Sequence, residues 1–301
     1  LGDASAGDAY GHALAQVPEG DLDPALTRAV ANARTRHAYY LDAQNAAFVA
    51  AMASAAAIAD SDEAGKFARF RSNVLRRTRV YHSDPAIYHY PGLVEREFHP
   101  NSDFPWIGML EQAAPAIRAE FQALLAAEHA ELVPYVQYPA DIPMQQWRAL
   151  NHNRAWTAIH LLQRGERVAA NADHCPATMA AIARLPQPDV PDRSPNAMFS
   201  LLAPGAHIPP HTGVANTRLV CHLPLIVPAG CWFRVGAETR SWEPDRAFVF
   251  DDTIEHEAAN EGQELRVVLI VDVWHPGLSA VERDGVRALM TAQGSGSGEH
   301  L

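Results

Sequence analysis

The stretch that decides the fold runs from residue 196 to residue 276 and reads NAMFSLLAPGAHIPPHTGVANTRLVCHLPLIVPAGCWFRVGAETRSWEPDRAFVFDDTIEHEAANEGQELRVVLIVDVWHP. Within it, short runs rich in β-branched and aromatic residues are separated by turn-forming residues. Several short strands at such spacing are typical of a β-sandwich or a double-stranded jelly roll. The sequence therefore predicts an all-β core with flanking helices. The predicted strands are residues 199–203, 218–227, 232–235, 238–242, 247–250 and 265–274.

Helical patterns dominate the chain before this stretch. Asp23 and the proline after it form a helix-start signal, and apolar residues at helical spacing then predict a helix over residues 24–59. A second helix is predicted within residues 106–131, with one apolar side that packs along the outside of the β core. We expect an α-helical extension over residues 1–85, a β-rich domain over residues 86–290 and a flexible tail over residues 291–301.

Composition excludes several classes of function. The chain has 301 residues and a formal net charge of -11, which disfavours a duplex nucleic acid as the partner. The longest apolar run, residues 46–59, is mostly alanine and too short to cross a bilayer, so no membrane anchor is visible. No signal segment opens the chain, and we expect a cytoplasmic protein. The three cysteines show no paired spacing, which argues against structural zinc and a disulfide framework.

Two histidines of the fold-deciding stretch stand where a barrel could bring them together. His211 precedes a predicted strand, and His256 begins another. Two imidazoles and one carboxylate form the facial triad of non-haem iron oxygenases, in which an acid usually stands two residues after the first histidine. Here that position is Gly213. On spacing alone the missing acid counts against iron, and the residues predict only a metal site of unspecified identity.

Arg266 opens the apolar run LRVVLIVDVW and therefore needs an anionic partner, because an unpaired buried charge is costly. One possibility is a structural ion pair with Asp272 or Glu264. The other is the distal carboxylate of a cosubstrate such as 2-oxoglutarate, which the planar guanidinium fork matches in a bidentate way. In the second case the hydroxyl of Ser200 could bind the same carboxylate.

Three blocks of sequence together carry a specific resemblance. HTGVANTRLVCHLPLIVP, GCWFRVGAETRSWEPDRAFVFDDTIEHEAAN and RVVLIVDVWHPGLSAVER closely resemble the aspartyl/asparaginyl β-hydroxylase family of 2-oxoglutarate oxygenases. The resemblance implies a double-stranded β-helix, a cupin-like jelly roll, with iron(II) held by His211 and His256 alone. Relatives also carry glycine where Gly213 stands, so the missing acid becomes a feature of the family.

The same resemblance assigns roles to further residues. A water molecule would complete the iron shell, and Asp252, or secondarily Asp251, would orient it. Arg266 and Ser200 would hold the distal carboxylate of 2-oxoglutarate. His222 would help to fix the end of the cosubstrate that chelates iron.

Substrate-binding roles are implied for Arg218 and Trp156. The sequence departs from the family pattern at one position. Two residues after Arg218, where relatives often carry a basic residue, this chain has Val220. An acidic substrate would need a basic pocket, which Arg218, Arg234 and Arg240 could supply.

The implied activity is an iron(II)- and 2-oxoglutarate-dependent dioxygenase that uses dioxygen to hydroxylate an unactivated C–H bond. The favoured substrate is the β-carbon of an aspartyl or asparaginyl residue in a peptide, a protein or a small molecule. Three alternatives stay open: hydroxylation of an acyl chain, as in relatives that act on lipid A; a jelly-roll binding module without turnover; and a different divalent metal that supports hydrolysis or isomerisation.

Overall fold

The computed structural model describes residues 4–139 and 144–293. The chain divides into two compact units, residues 1–80 and residues 81–301. This division lies close to the boundary predicted near residue 85. Most of the predicted flexible tail, residues 294–301, falls outside the described residues.

The first unit is helical. It contains α1 (Ala4–Ala15), α2 (Pro24–Ala56) and α3 (Ser61–Val74). Asp23 caps α2, since its side chain accepts hydrogen bonds from the backbone N–H groups of Ala25 and Leu26 at 2.8 and 2.9 Å. Pro24 suits the first turn because it has no N–H to leave unpaired there. The predicted helix therefore begins where its sequence signal placed it and ends three residues early, at Ala56.

The second unit is built mainly from strands. Its strands are β1 (Phe98–His99), β2 (Val133–Pro134), β3 (Trp156–Gln163), β4 (Glu166–Arg167), β5 (Ala197–Leu202), β6 (His207–His211), β7 (Arg218–Ile226), β8 (Cys231–Val235), β9 (Glu238–Arg240), β10 (Phe248–Phe250), β11 (His256–Asn260) and β12 (Arg266–Trp274). Its helices are α4 (Ile107–Ala126), α5 (Ala169–Ala172), α6 (Pro176–Ile182) and α7 (Ala280–Ala292). Helix α7 continues to Ala292 and so includes the first two residues of the tail that was predicted over residues 291–301.

The strands form two sheets in which the paired strands are antiparallel. The larger sheet has the order β1-β10-β7-β12-β5-β3-β2, with β4 paired to β3, and the smaller has the order β6-β11-β8-β9. Strands that are distant in sequence lie side by side, as in β7, β12 and β5, which is the connectivity of a jelly roll. The predicted double-stranded β-helix with flanking helices is confirmed.

Strand β6 is one of the strands that the sequence did not reveal, and it bears directly on the site. It contains Pro209 and Pro210, and proline is poorly compatible with a central strand because it donates no hydrogen bond. The structure places β6 at the edge of the smaller sheet, where one side of the strand needs no partner. His211 therefore ends a strand, whereas the sequence had placed it just before one.

Alternation along β7 and β12 separates the apolar core from the interior of the barrel. Leu219 and Leu223 of β7, with Leu269 of β12, pack in the cluster that also contains Leu110 and Phe121 of α4. Their neighbours in sequence point to the opposite face of the sheet, because side chains of a strand alternate. The helix-facing residues thus anchor the sheet, and the intervening residues are left to line a cavity.

No helix among the described residues is long and apolar enough to cross a membrane.

Replacing Leu269 by alanine tests the importance of this central packing. Leu269 is fully buried and lies between Phe199 and Leu223 in the strand register. We expect the free energy of unfolding to fall by about 2–5 kcal/mol, because the truncation leaves a cavity. Val281→Ala on α7 is the control; this side chain is 80% exposed, so the change should stay within about 0.5 kcal/mol. Chemical denaturation measures both, and equal losses would contradict the assigned core.

Candidate active site

A cavity of about 410 Å³ lies between the two sheets of the second unit. Strands β5, β7 and β12 form one wall, and strands β6, β8 and β11 form the other. The predicted site residues on its wall are Trp156, Ser200, His211, Arg218, His222, Asp252, His256 and Arg266. The structure thus brings together residues that are far apart in the sequence.

His211 and His256 face each other across the pair β6 and β11. They are register partners, and their ring centroids are 4.0 Å apart. The Nδ1 atom of His211 donates to the carbonyl of Pro209 at 2.8 Å, and Nδ1 of His256 donates to the carbonyl of Ile254 at 3.1 Å. Because a carbonyl can only accept, Nδ1 carries the proton in both rings, and each Nε2 keeps a lone pair.

Both imidazoles are neutral at physiological pH. Burial, with a smaller contribution from the neighbouring His256, lowers the pKa of His211 to about 3. Burial likewise lowers the pKa of His256 to about 4, even though the carbonyl of Ile254 opposes the change. Neutral imidazole with a free Nε2 is the form that binds a transition metal, so this pair fits a divalent metal with two protein donors. In the described part of the chain, no group of three or more His, Cys, Asp or Glu side chains is arranged to hold a metal.

Gly213 is required by the position of Asp252. A Cβ atom added to Gly213 would lie 2.1 Å from Oδ2 of Asp252, far inside van der Waals contact. The backbone N–H of Gly213 also donates to the carbonyl of Asp252 at 2.6 Å. The carboxylate of Asp252 therefore lies where a side chain two residues after His211 would begin. This close approach explains physically why the facial triad acid is absent from its usual position.

Arg218 lies between two buried carboxylates. Its Nη2 is 3.0 Å from Oδ2 of Asp252, and its Nη1 is 3.5 Å from Oδ1 of Asp272. Burial alone would lower the pKa of Arg218, but the two carboxylates outweigh burial and raise it. Burial raises the pKa of Asp272, and the Arg218 guanidinium and the Asn196 side chain oppose that rise. Arg218 was predicted to bind the substrate, but its positive charge is already balanced by two carboxylates of the chain.

One oxygen of Asp252 stands apart from this ion pair. Its Oδ1 is buried and has no hydrogen-bond partner among the described residues. A buried carboxylate oxygen is normally hydrogen-bonded, so this atom fits an acceptor for a donor that the described protein does not supply. Water on a metal held by the two histidines is such a donor.

Asp251 has a different environment. Its Oδ1 accepts hydrogen bonds from both the backbone N–H and the hydroxyl of Thr253, at 2.9 and 2.5 Å. Burial raises its pKa to about 6, although these hydrogen bonds oppose the rise. Among the described residues, those lining the cavity include Asp252 but not Asp251. Of the two predicted acids, the geometry therefore favours Asp252.

Arg266 is a buried cation without an acidic partner in the described structure. It is 2% exposed, and its Nη1 lies 3.4 Å from Oγ of Ser200. Its Nε has no hydrogen-bond partner among the described atoms, and its guanidinium stacks over the ring of Trp242 at 4.9 Å. Burial lowers its pKa only to about 10, so the charge persists at neutral pH. Neither ion pair considered from the sequence forms, because Asp272 faces Arg218 instead.

Trp156, predicted to bind the substrate, contacts the same serine as Arg266. Its indole Nε1 donates to Oγ of Ser200 at 3.0 Å, and Tyr135 stacks on the indole with centroids 3.7 Å apart. The Ser200 hydroxyl is thereby oriented, since the indole N–H can only donate and occupies one acceptor site.

Trp242 is a residue of the site that was not predicted from the sequence. Its Nε1 donates to Nδ1 of His222 at 3.3 Å, and its ring lies under Arg266. Because Nδ1 of His222 accepts, the proton of this neutral ring sits on Nε2, the reverse of the two metal-facing histidines. Burial lowers the pKa of His222 well below its usual value. A single large aromatic residue within the polar segment Ser241–Asp245 is the signal that could have revealed Trp242.

The remaining two histidines of the stretch do not join the metal pair. Nε2 of His207 pairs with Oε2 of Glu257 at 2.9 Å near the surface. Nε2 of His275 lies 3.3 Å from the carbonyl of Val94. Neither is among the described residues that line the cavity.

Known proteins resemble this chain in sequence. A family model described as Aspartyl/Asparaginyl beta-hydroxylase matches residues 111–276. The ornithine lipid ester-linked acyl 2-hydroxylase of Rhizobium tropici is 34% identical over 190 residues, which are 62% of this chain and 63% of that protein. The aspartyl/asparaginyl beta-hydroxylase of Homo sapiens is 36% identical over 135 residues, 44% of this chain and 18% of that protein. Each match spans less than two thirds of the relative's length.

Among solved structures, the Schizosaccharomyces pombe Cnp3 cupin domain is similar with a TM-score of 0.26 and 16% identity. The similarity covers 31% of this chain and 62% of that domain. At such a score the fold assignment rests on the strand order described above.

Substituting Gly213 by alanine tests the close contact with Asp252. The added methyl group must displace the carboxylate and break its contact with Arg218, so we expect a loss of about 3–5 kcal/mol in the free energy of unfolding. Gly108→Ala is the control, because a Cβ there meets nothing within 4 Å and helix α4 should gain up to about 1 kcal/mol. Thermal and chemical unfolding measure both variants. A Gly213→Ala protein as stable as the wild type would contradict the contact.

Proposed function

This chain belongs to the aspartyl/asparaginyl β-hydroxylase family, and on that premise we propose that it is a hydroxylase dependent on iron(II), 2-oxoglutarate and dioxygen. The observation that carries the proposal is the shared cavity. It joins two neutral imidazoles with free Nε2 atoms to Arg266, a buried cation that lacks an acidic partner among the described residues. A metal and a carboxylate ligand are what such a cavity would bind.

The metal would be held by Nε2 of His211 and Nε2 of His256. The hydrogen bonds from their Nδ1 atoms to backbone carbonyls fix both ring orientations before any metal arrives. Oδ1 of Asp252 would accept a hydrogen bond from a water molecule in the position that a carboxylate ligand fills in a facial triad. When bound, iron(II) with 2-oxoglutarate and dioxygen supplies the oxidising power needed to hydroxylate an unactivated C–H bond.

The cosubstrate would lie with its distal carboxylate at Arg266. The guanidinium fork can bind a carboxylate through two parallel hydrogen bonds, and the Ser200 hydroxyl adds a third. The ring of Trp242 stacks on the guanidinium of Arg266. Its Nε1 also donates to Nδ1 of His222, which leaves the Nε2–H of His222 to donate to an oxygen at the iron-chelating end of the cosubstrate. In a buried cavity such charge-assisted hydrogen bonds are stronger than in water.

The protein's role in the reaction is positional. It must present one C–H bond of the substrate near the metal and keep other C–H bonds and bulk water away. Names of relatives divide between aspartyl or asparaginyl residues and lipid acyl chains. The family resemblance favours an aspartyl or asparaginyl β-carbon, whereas an acyl chain is a second candidate that the charges of this cavity support.

A direct test combines ligand binding with turnover. Anaerobic addition of iron(II) and 2-oxoglutarate should give the weak visible charge-transfer band, and admission of dioxygen should then produce succinate. Arg266→Met should weaken 2-oxoglutarate binding at least about 100-fold, because loss of one partner of a buried charge pair costs about 3–5 kcal/mol. Arg246→Gln is the matched control, since this arginine pairs with Glu111 on the outside of the unit.

His211→Ala and His256→Ala should each abolish the band, because one imidazole alone cannot hold the metal firmly. The proposal is wrong if the wild type gives neither band nor succinate. It is also wrong if the Arg266 and histidine variants bind both ligands as the wild type does.

A further inference from the structure

Among the described residues that line the active-site cavity, each cation has an acidic counter-charge once the cosubstrate is bound. Two arginines line its wall, Arg218 and Arg266. Arg218 is matched by Asp252 at 3.0 Å and by Asp272 at 3.5 Å. If Arg266 binds the distal carboxylate of 2-oxoglutarate, as the proposed function requires, both guanidinium groups have a counter-charge. Nε and Nη1 of Arg218 have no hydrogen-bond partner among the described residues, but one guanidinium beside two carboxylates leaves a net negative charge that disfavours a further anion.

The other charged groups near the cavity do not change this balance. Arg234 and Arg240, which the sequence suggested as a basic pocket, are paired with acids on their own sheet. Nη2 of Arg234 is 3.0 Å from Glu255, its Nε is 2.5 Å from Glu257, and Nη2 of Arg240 is 2.5 Å from Glu238. Of the three histidines on the wall, His211 and His256 are assigned to the metal, and Nδ1 of His222 accepts a hydrogen bond from Trp242, so that this ring carries no charge.

The wall formed by β5, β7 and β12 also carries alkyl side chains beside its charged groups. Val220 lies between Arg218 and His222 on the cavity side of β7, and its register partner on β12 is Asp272. Ile270 of β12 and Met198 of β5, themselves register partners, extend the same surface. A carboxylate against this surface would be buried and unpaired, which is strongly unfavourable.

A carboxamide meets a similar obstacle, though a smaller one. Val220, Ile270 and Met198 offer no N–H or O–H donor from their side chains, so an amide buried among them would lose hydrogen bonds to water. Beside this surface, Nε and Nη1 of Arg218 lack a hydrogen-bond partner among the described residues and could replace only the bonds to the amide oxygen. A methylene group loses nothing there and gains from the burial of apolar area.

We infer that the substrate of this site is an uncharged aliphatic chain, such as the acyl chain of a lipid, and that Val220 is a residue that sets this preference. The inference rests on the proposed function, because it assigns Arg266 to the cosubstrate. It reverses the preference for aspartyl side chains that the family resemblance suggested.

The test measures binding without turnover. The full chain is loaded with manganese(II) and the unreactive analogue N-oxalylglycine, and calorimetry then measures the affinity for three acyl amides of one length. The amides end in a methyl group, a carboxylate or a carboxamide. The methyl-ended probe should bind the wild type at least about tenfold more tightly than the carboxylate-ended one, because the latter buries an unpaired charge.

Two variants at one position separate charge from size. Val220→Arg introduces a cation at the alkyl surface and should strengthen binding of the carboxylate-ended probe at least about tenfold. Val220→Gln has a long polar side chain without charge and should not. The melting temperature of each variant, measured beside the wild type, shows whether the fold is kept. If Val220→Arg does not fold, the order of the three probes on the wild type still decides.

Several results would overturn the inference. The first is that the carboxylate-ended or the carboxamide-ended probe binds the wild type as tightly as the methyl-ended probe. The second is that Val220→Arg and Val220→Gln change the affinity for the carboxylate-ended probe equally. The third is that no probe binds. Failure of the proposed function is a separate result, because N-oxalylglycine would then fail to bind the manganese-loaded protein before any probe is added.

Discussion

The buried contact of Arg218 with Asp252 and Asp272 is the interaction on which the site depends. It joins the start of β7 to the end of β12 and to the turn before β11. Because the guanidinium holds the Asp252 carboxylate, that carboxylate can lie against Gly213, directly beside the end of β6. Removing Arg218 would leave two buried carboxylates without their shared partner, which costs more than the contact contributes to stability by itself.

This arrangement separates the metal-facing histidines from the acid that accompanies them in a facial triad. The rings of His211 and His256 are oriented by hydrogen bonds to backbone carbonyls two residues before each of them, without a contribution from the Asp252 carboxylate. Asp252 contributes its charge and one free acceptor atom from a neighbouring loop. The end of the cavity around Arg266, where we propose that the cosubstrate binds, shares no ion pair with this cluster among the described residues. The residues around Arg266 could therefore bind the same cosubstrate even when substitutions around Val220 alter the substrate preference.

Much of the fold could be predicted because its signals are local. The apolar runs of β7 and β12 appear within two residues of their predicted limits, and Asp23 marks the start of α2. Strand β6 escaped because its two prolines are exceptions to strand composition that only an edge position allows. Local patterns also could not show that Asp252 fills the space beside Gly213, since the two meet only through packing of separate segments.

For the site, the residues alone predicted a metal pair and a cation that needed an anion. The resemblance to a family added the roles of Asp252, Ser200 and His222. Neither source revealed Trp242, which stands on a connecting segment after β9, nor the pairing that occupies Arg218. These depend on which side chains face one cavity, and strand pairing across the whole unit determines that.

The central claim is that His211 and His256 are the protein ligands of the metal and that Asp252 acts through water. A crystal structure of the protein with iron(II) and 2-oxoglutarate, determined without dioxygen, tests it most directly. The account predicts Nε2 of both histidines bound to iron, with Oδ1 of Asp252 at hydrogen-bonding distance from a water ligand. An Asp252 oxygen bound to iron, at about 2.0–2.2 Å as for carboxylate ligands of similar metals, would contradict it.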